Sequence, residues 1–353
     1  MKLAIIAITR NGARLGARLQ GARPQAELFV LERFAPEAAG AQFTPFTGDL
    51  KAQVARLWGR YHGFAFIMAT GIVVRMIAPH LAGKDRDPAV VVLDEAGRFA
   101  VSLLAGHLGG ANRLAIELAA ASGGTPVITT ATDVNGLIAW DEAARQAGLR
   151  IEPVAHIKLL NRLLLEGGRI ALVDRRGRVA PYFANTPGIE IHPTFAAALQ
   201  SAAAGLVFVT HRQIPDLDRR PNLLALRPPD LVVGIGCNRG TGADEIEAAV
   251  TRELGRAFLA FASIGRLASV REKADEPGLL EFAERHALPL DCFAPAALNA
   301  VAAPSPPSPH ALDAVGAKGV CEPAAILAAG GGPLLITKKK HGNVTVAVAE
   351  RID

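Results

Sequence analysis

Ser102-Leu-Leu-Ala-Gly-His-Leu-Gly-Gly-Ala-Asn112, with Ala69-Thr-Gly-Ile-Val-Val-Arg75 before it and Thr129-Thr-Ala-Thr-Asp133 after it, decides how this chain folds. Each stretch carries a short, strand-like apolar run into glycine, hydroxyl and ionisable residues. In an α/β fold the loops at the carboxyl ends of neighbouring strands converge on one crevice. The expectation is therefore one pocket shared by Arg75, His107, Asn112, Thr129, Thr130 and Asp133.

Working outward, Leu3–Ile8 and the helix-like Asn11–Gln20 form a strand–loop–helix opening. Phe64–Met68, Ala89–Leu93, Phe99–Leu103 and Pro126–Thr129 are further short runs rich in β-branched residues, and Asn112–Ala121 has helical spacing. Asp94-Glu-Ala-Gly97 suits a turn, so Ala89–Leu93 and Phe99–Leu103 are expected to pair as a hairpin. The alternation predicts two to three α/β sandwich domains with largely parallel sheets, Rossmann-like but not dinucleotide-binding. Residues 1–140 form the first. Residues 141–229 are a middle α/β segment in which His211–Asp230, rich in Pro, Arg and Asp, reads as a linker. Residues 230–353 open with the strand Leu231–Cys237 and a helix near Glu245–Leu254. Within them Ala303–His310, dense in proline, is a long loop.

A chain of 353 residues is long enough for this organisation, and its formal charge of +5 favours an anionic ligand without supplying the basic stripe that nucleic acid requires. Lys338-Lys339-Lys340 is its only dense basic cluster and reads as a solvated strand end. Three cysteines, Cys237, Cys292 and Cys321, lie far apart, which excludes a C-x-x-C zinc knuckle and a disulfide framework. Lys2–Ile8 is too short for a membrane span and no small-residue cleavage site follows it. The expected location is cytoplasmic, with neither membrane nor nucleic acid as a partner.

Gly234-Ile-Gly-Cys-Asn-Arg-Gly240 places glycines between a strand and a helix, where backbone N–H groups gather on an anion. Its spacing is one residue longer than the dinucleotide fingerprint, and the expected next strand, Ala257–Ile264, ends without the acidic residue that a ribose needs. It reads as an anion-binding turn for another ligand or as a purely structural turn. Gly106–Asn112 offers a helix N-terminus to an anion, with Asn112 as the cap and His107 at the mouth. A histidine titrating near neutrality can take a proton from water, as hydrolysis requires. Thr129 and Thr130 offer hydroxyls, and Asp133 either joins the histidine or only caps the next helix. Arg75 and Lys84 either bind carboxylates or are solvated. Asp85, Asp87, Asp94 and Glu95 read as turn residues. Glu322, beside Pro323, suits a helix opening. No G-x-S-x-G elbow, Walker A loop or H-E-x-x-H occurs, so serine-nucleophile, nucleotide-hydrolysing and zinc-protease chemistries lack support.

Taken together, Ala69–Arg75, Lys84–Glu95, Ser102–Asn112 and Pro126–Asp133 resemble the first part of the CbiG family of cobalamin biosynthesis, the cobalt-precorrin-5A hydrolases. Val233–Gly240, Lys273–Leu279, Gly319–Ala325 and Leu335–Ala347 resemble that family's C-terminal domain, which is also similar to the stand-alone protein CobE. The likeness runs over most of the chain in one order and is weakest over 141–229.

The resemblance implies hydrolysis of the δ-lactone of cobalt-precorrin-5A with release of acetaldehyde, giving cobalt-precorrin-5B. The partner is an anionic, cobalt-containing tetrapyrrole, and no further cofactor or protein metal site is expected because cobalt arrives with the substrate. His107 is expected to activate water and Asp133 to orient it. Candidate substrate contacts are Thr70, Gly71, Arg75, Lys84, Gly106, Gly109, Gly110, Asn112, Thr129 and Thr130 in the first part. In the last they are Gly236, Asn238, Arg239, Lys273, Glu276 and Glu322. A homodimer and transient contact with neighbouring corrin-pathway methyltransferases are further expectations. The competing reading is a non-catalytic carrier of a corrinoid intermediate.

Overall fold

Strand β1 (Leu3–Ala7) is buried at all of its five positions, because a strand covered by helices on both faces has no solvent side and must be apolar throughout. The computed structural model describes residues 1–83 and 86–352 and divides into two units, Met1–Ala143 and Ala144–Asp353. The sheet of the first unit continues with β2 (Glu27–Leu31), β3 (Phe43–Phe46), β4 (Gly63–Ile67), β5 (Ala89–Leu93), β6 (Phe99–Leu104) and β7 (Thr125–Val127), in the order β3-β2-β1-β4-β5-β6-β7. Leu3 and Ile5 pack with Leu15 and Leu19 of helix Arg10–Ala22 and with Leu114 and Leu118 of helix Ala111–Ser122. Ala4 and Ile6 face the other way, into a cluster with Val54, Leu57, Val73 and Ile77 of helices Leu50–Leu57 and Thr70–Ile77. The period-2 alternation of a strand thus feeds two helical layers.

Strand direction decides where the site can be. β1 to β5 are parallel. β6 is antiparallel to β5, with Leu93 opposite Ala100 and Val90 opposite Leu104. The turn between them is closed by Asp94, which accepts from the amides of Ala96 and Phe99 at 2.9 and 2.8 Å. β7 is parallel to β6. The carboxyl ends of β6 and β7 therefore lie at the edge where β1, β4 and β5 begin, away from the carboxyl end of β4. This overturns the expectation of a single crevice: the hairpin predicted from Asp94–Gly97 itself sends the two sets of loops to opposite edges.

The second unit contains two sheets. β8 (Arg150–Glu152), β9 (Ile170–Val173), β10 (Ile189–Ile191), β11 (Gly205–Val209) and β12 (Leu223–Arg227) are ordered β10-β9-β11-β12-β8, with only β8 antiparallel to its neighbour. His211–Asp230 is thus not a linker, because it contains β12, whose five residues are all buried. The apolar run Leu223–Leu226 outweighs its polar flanks. Arg227 tolerates burial because its Nε donates to Glu152 Oε2 at 2.7 Å and its Nη1 to the carbonyls of Thr210 and Arg212 at 3.0 and 2.5 Å.

The other sheet is β13 (Leu231–Cys237), β14 (Ile264–Val270), β15 (Leu290–Phe293), β16 (Leu334–His341) and β17 (Val344–Glu350), ordered β15-β14-β13-β17-β16. β13, β14 and β15 are parallel, β17 pairs antiparallel with β13, and β16 pairs antiparallel with β17 at the sheet edge. Helix Cys321–Ala328 crosses β13 so closely that a β-carbon on Gly234 would lie 1.8 Å from the Cys321 carbonyl oxygen. The strand expected at Ala257–Ile264 begins only at Ile264, because Phe261–Ser263 form a short 3-10 turn. The residues after it are Arg271, Glu272 and Lys273, so one carboxylate does follow this strand. Lys338–Lys340 lie on the edge strand β16, where charge discourages pairing with another chain. No helix among the described residues is long and apolar enough to cross a membrane.

Candidate active site

The loop after β6 is drawn tight by its own backbone. The amides of Gly110, Ala111 and Asn112 donate to the carbonyls of His107, Ala105 and Gly106 at 3.0, 3.1 and 3.0 Å. A β-carbon on Gly109 would come within 2.5 Å of Ala105 Cβ, and Gly110 has φ 84°. These glycines are required by close backbone approach and by a left-handed helix cap. Gly110, and not Asn112, occupies the cap position. Those three amides are spent within the loop, while those of Gly106, His107, Leu108 and Gly109 have no acceptor among the described residues.

The loop also builds a side-chain array. Asn112 is buried on the first turn of helix Ala111–Ser122. Its Oδ1 accepts from Ser102 Oγ at 2.7 Å, and its Nδ2 donates to Thr130 Oγ1 at 3.0 Å and to Asp133 Oδ2 at 3.1 Å. His107 Nε2 lies 3.0 Å from Thr132 Oγ1 and 3.4 Å from the same Asp133 oxygen. His107 Nδ1 has no hydrogen-bond partner among the described residues. With side-chain exposures of 13% for His107 and 35% for Asp133, the pair is reachable from solvent yet held from within. A carboxylate on one ring nitrogen orients the imidazole and favours a proton arriving at the other, which suits a general base.

Gly106, His107, Gly109, Gly110, Asn112, Thr130 and Asp133 thus fall together, and Thr129 is exposed beside them. Ser102 and Thr132 join them as contacts not among the expected site residues, their only sequence signal being a hydroxyl beside a glycine loop or helix start. Thr70, Gly71 and Arg75 do not belong to this group. They lie exposed on helix Thr70–Ile77 at the carboxyl end of β4, where Arg75 Nη1 donates to the Gly71 carbonyl at 3.1 Å. A five-residue strand separates the two edges by roughly 17 Å. Lys84 lies outside the described residues.

In the second unit Gly236, Asn238, Arg239, Lys273 and Glu276 gather at the carboxyl end of β13. The anion held by this glycine loop is the chain's own: Glu276, fully buried, accepts from the Gly240 amide at 2.7 Å and from Lys273 Nζ at 2.9 Å. Arg239 Nε lies 3.7 Å from Glu276 and its Nη1 2.8 Å from Asp275. Burial works to raise the Glu276 pKa, but Lys273, the Gly240 amide and Arg239 hold it below the ordinary glutamate value. Gly236 is needed because a β-carbon would meet Thr345 Oγ1 at 2.6 Å, and Asn238 Nδ2 donates to Asn343 Oδ1 at 2.9 Å. This agrees with the structural-turn reading of the loop.

Glu322, also buried, accepts from the amide and hydroxyl of Ser305 at 3.2 and 2.9 Å and from the Lys338 amide at 2.9 Å. It pins the proline-rich loop over a cavity of about 380 Å³, invisible in the sequence because it forms between segments far apart in the chain. Elsewhere His211, Asp230 and Glu350 bring ligand atoms within 4.8 Å of one another. Arg176 pairs with Glu350 and lies 3.7 Å from Asp230, so the chain supplies the positive charge there itself.

The chain matches three family models in sequence order. Cobalamin synthesis G N-terminal covers residues 52–133, Cobalamin biosynthesis central region 138–228, and Cobalamin synthesis G C-terminus 231–349. It is 34% identical over 352 residues to "Cobalt-precorrin-5A hydrolase" of Priestia megaterium, covering 98% of this chain and 94% of that one. The protein of the same name from Salmonella typhimurium is 33% identical over 362 residues, covering 98% and 97%. Over the C-terminal region, "Protein CobE" of Sinorhizobium sp is 36% identical across 121 residues, 34% of this chain and 79% of that one.

Proposed function

The chain belongs to the CbiG family of cobalamin biosynthesis, and from that premise we propose that it hydrolyses the δ-lactone of cobalt-precorrin-5A, releasing acetaldehyde and giving cobalt-precorrin-5B. Similarity over nearly the full length of two relatives named for this reaction supports the chemistry. The observation that carries the site is His107, tied through Nε2 to Asp133 and Thr132 with Nδ1 left open.

In this reading His107 Nδ1 takes a proton from water as the water oxygen attacks the lactone carbonyl. The amides of Leu108 and Gly109 receive the developing oxyanion. The ring C–O bond then breaks, leaving a carboxylate on the macrocycle and a hydroxyl on the two-carbon branch. Loss of the hydroxyl proton forms the aldehyde C=O as the bond to the ring carbon breaks. Acetaldehyde leaves, and the electron pair passes into the conjugated macrocycle, to be quenched by a proton. Asp133 stabilises the imidazolium through Nε2, and Asn112 holds Asp133. Cobalt enters as part of the substrate and needs no ligand from the chain.

The test is an anaerobic incubation with cobalt-precorrin-5A, trapping acetaldehyde and following the corrinoid by mass. One acetaldehyde per corrinoid, with the matching mass loss, is expected. Tight binding without acetaldehyde would replace the hydrolase by a carrier.

A further inference from the structure

The His107 array stands at the edge of the first sheet where β1, β4 and β5 begin, so the residues leading into those strands are its neighbours. β5 and β6 pair directly, with Val90 opposite Leu104, and a β-carbon on Gly109 would lie 3.4 Å from the Ala89 amide nitrogen. The His107 loop therefore rests on the start of β5. The same Ala89 amide donates to the His62 carbonyl at 3.0 Å, which ties the start of β5 to that of β4. Arg60-Tyr-His leads into β4 and Arg86-Asp-Pro into β5, and both arginines are exposed.

Neither guanidinium has a hydrogen bond or an ion pair among the described residues. Acids of the same edge are spent on other partners. Glu27, which opens β2, accepts from Tyr61 Oη at 2.5 Å and lies 3.4 Å from Lys2 Nζ. Asp87 is turned inward, 9% exposed, and accepts from the amides of Ala82 and Gly83 at 2.8 and 3.2 Å. Arg60 and Arg86 thus keep their full charge beside the His107 loop, whereas Arg75 stands at the opposite edge. An arginine is a permanently charged planar fork that matches a carboxylate.

Sheet geometry sets the spacing. Neighbouring strands lie about 4.8 Å apart, so the step from β6 across β5 to β4 is roughly 10 Å. A flat macrocycle with its lactone at His107 extends its acid side chains along that edge. Resting on the cobalt-precorrin reading above, we propose that Arg60 and Arg86 hold the acid side chains of the substrate while its lactone lies at His107. They supply the carboxylate recognition that the sequence pattern assigns to Arg75.

Arginine modification by phenylglyoxal, read peptide by peptide by mass, tests this on the full-length chain with and without cobalt-precorrin-5A. Substrate and product both keep the acid side chains, so turnover during the experiment does not remove the shield. At about ten times the Kd, modification should slow about tenfold at Arg60 and Arg86 and stay within about twofold at Arg75. In steady-state acetaldehyde assays Arg60→Gln/Arg86→Gln should raise KM about tenfold or more with kcat within about threefold, the pattern of lost uniform binding. A thermal unfolding midpoint matching the parent establishes that this variant folds; the shielding result stands without it. Absence of shielding, shielding no greater than that of Arg75, or an unchanged KM in the folded variant overturns the proposal. Shielding without acetaldehyde release keeps the arginine subsite and sinks the hydrolase reading, whereas release without shielding sinks only the subsite.

Discussion

Asn112 Nδ2 and Asp133 Oδ2 lie 3.1 Å apart, joining the first turns of two helices across 21 residues of sequence. The contact is buried on the asparagine side, and the Asn112 carbonyl oxygen is committed to Ser102 Oγ. The amide cannot turn without losing one bond or the other. Asp133 is consequently held with the same oxygen toward both Asn112 and His107, and the fold itself sets the direction of the imidazole.

Asn112→Ala should therefore damage both stability and turnover. Leaving Ser102 and Asp133 without their partner costs about 1–3 kcal/mol, the usual penalty for unsatisfied buried groups. A thermal unfolding series reads that loss. Steady-state kinetics read the second effect: with Asp133 loosened, kcat should fall while KM changes little. A fall in stability with an unchanged kcat would leave Asn112 a purely structural residue.

Arg75→Ala should leave turnover and KM within about twofold of the unmodified chain, in the range of a solvated surface residue. Its guanidinium lies at the opposite sheet edge from His107 and contacts the Gly71 carbonyl on its own helix. A large rise in KM in steady-state acetaldehyde assays would return Arg75 to the substrate site.

Arg75 and His107, close in sequence pattern but at opposite sheet edges, show what a sequence can and cannot convey. Apolar runs and glycine punctuation mark the strands, and Ser102–Asp133 holds nearly every residue of the array. Strand direction is not local. Asp94–Gly97 predicts the hairpin, yet its consequence for Arg75 emerges only when the whole sheet order is followed. In the same way Leu223–Leu226 is a strand whose polar flanks disguise it, because Arg227 is neutralised by Glu152, 75 residues earlier. The cavity at Glu322 draws on residues 298 to 338, and no short motif can announce it.

Glu276 should contribute to acid sensitivity. Its folded pKa lies below the ordinary glutamate value, so its contribution to stability is present above that ordinary value and is lost as pH falls through the lower, folded one. Glu276→Gln should be less stable at neutral pH, because buried Lys273 loses its partner, and its stability should fall less steeply below the glutamate range. Denaturant midpoints from pH 7 to pH 3 measure both, and parallel curves for the two proteins would contradict the assignment.

Gly234→Ala should destabilise the second unit severely. The added methyl would sit 1.8 Å from the Cys321 carbonyl oxygen, and a backbone atom in a crossing helix cannot rotate away. Overpacking of this kind costs about 1–3 kcal/mol or more. Thermal unfolding should show it, and a midpoint unchanged from the parent would mean that helix Cys321–Ala328 shifts freely on β13.

The most direct test of the account is single-turnover acetaldehyde release from cobalt-precorrin-5A by His107→Asn beside the unmodified chain. A general base contributes about 10²–10⁴-fold, so release should slow at least a hundredfold while corrinoid binding persists. Release within about threefold of the unmodified rate, below any general-base contribution, would contradict the assignment of His107.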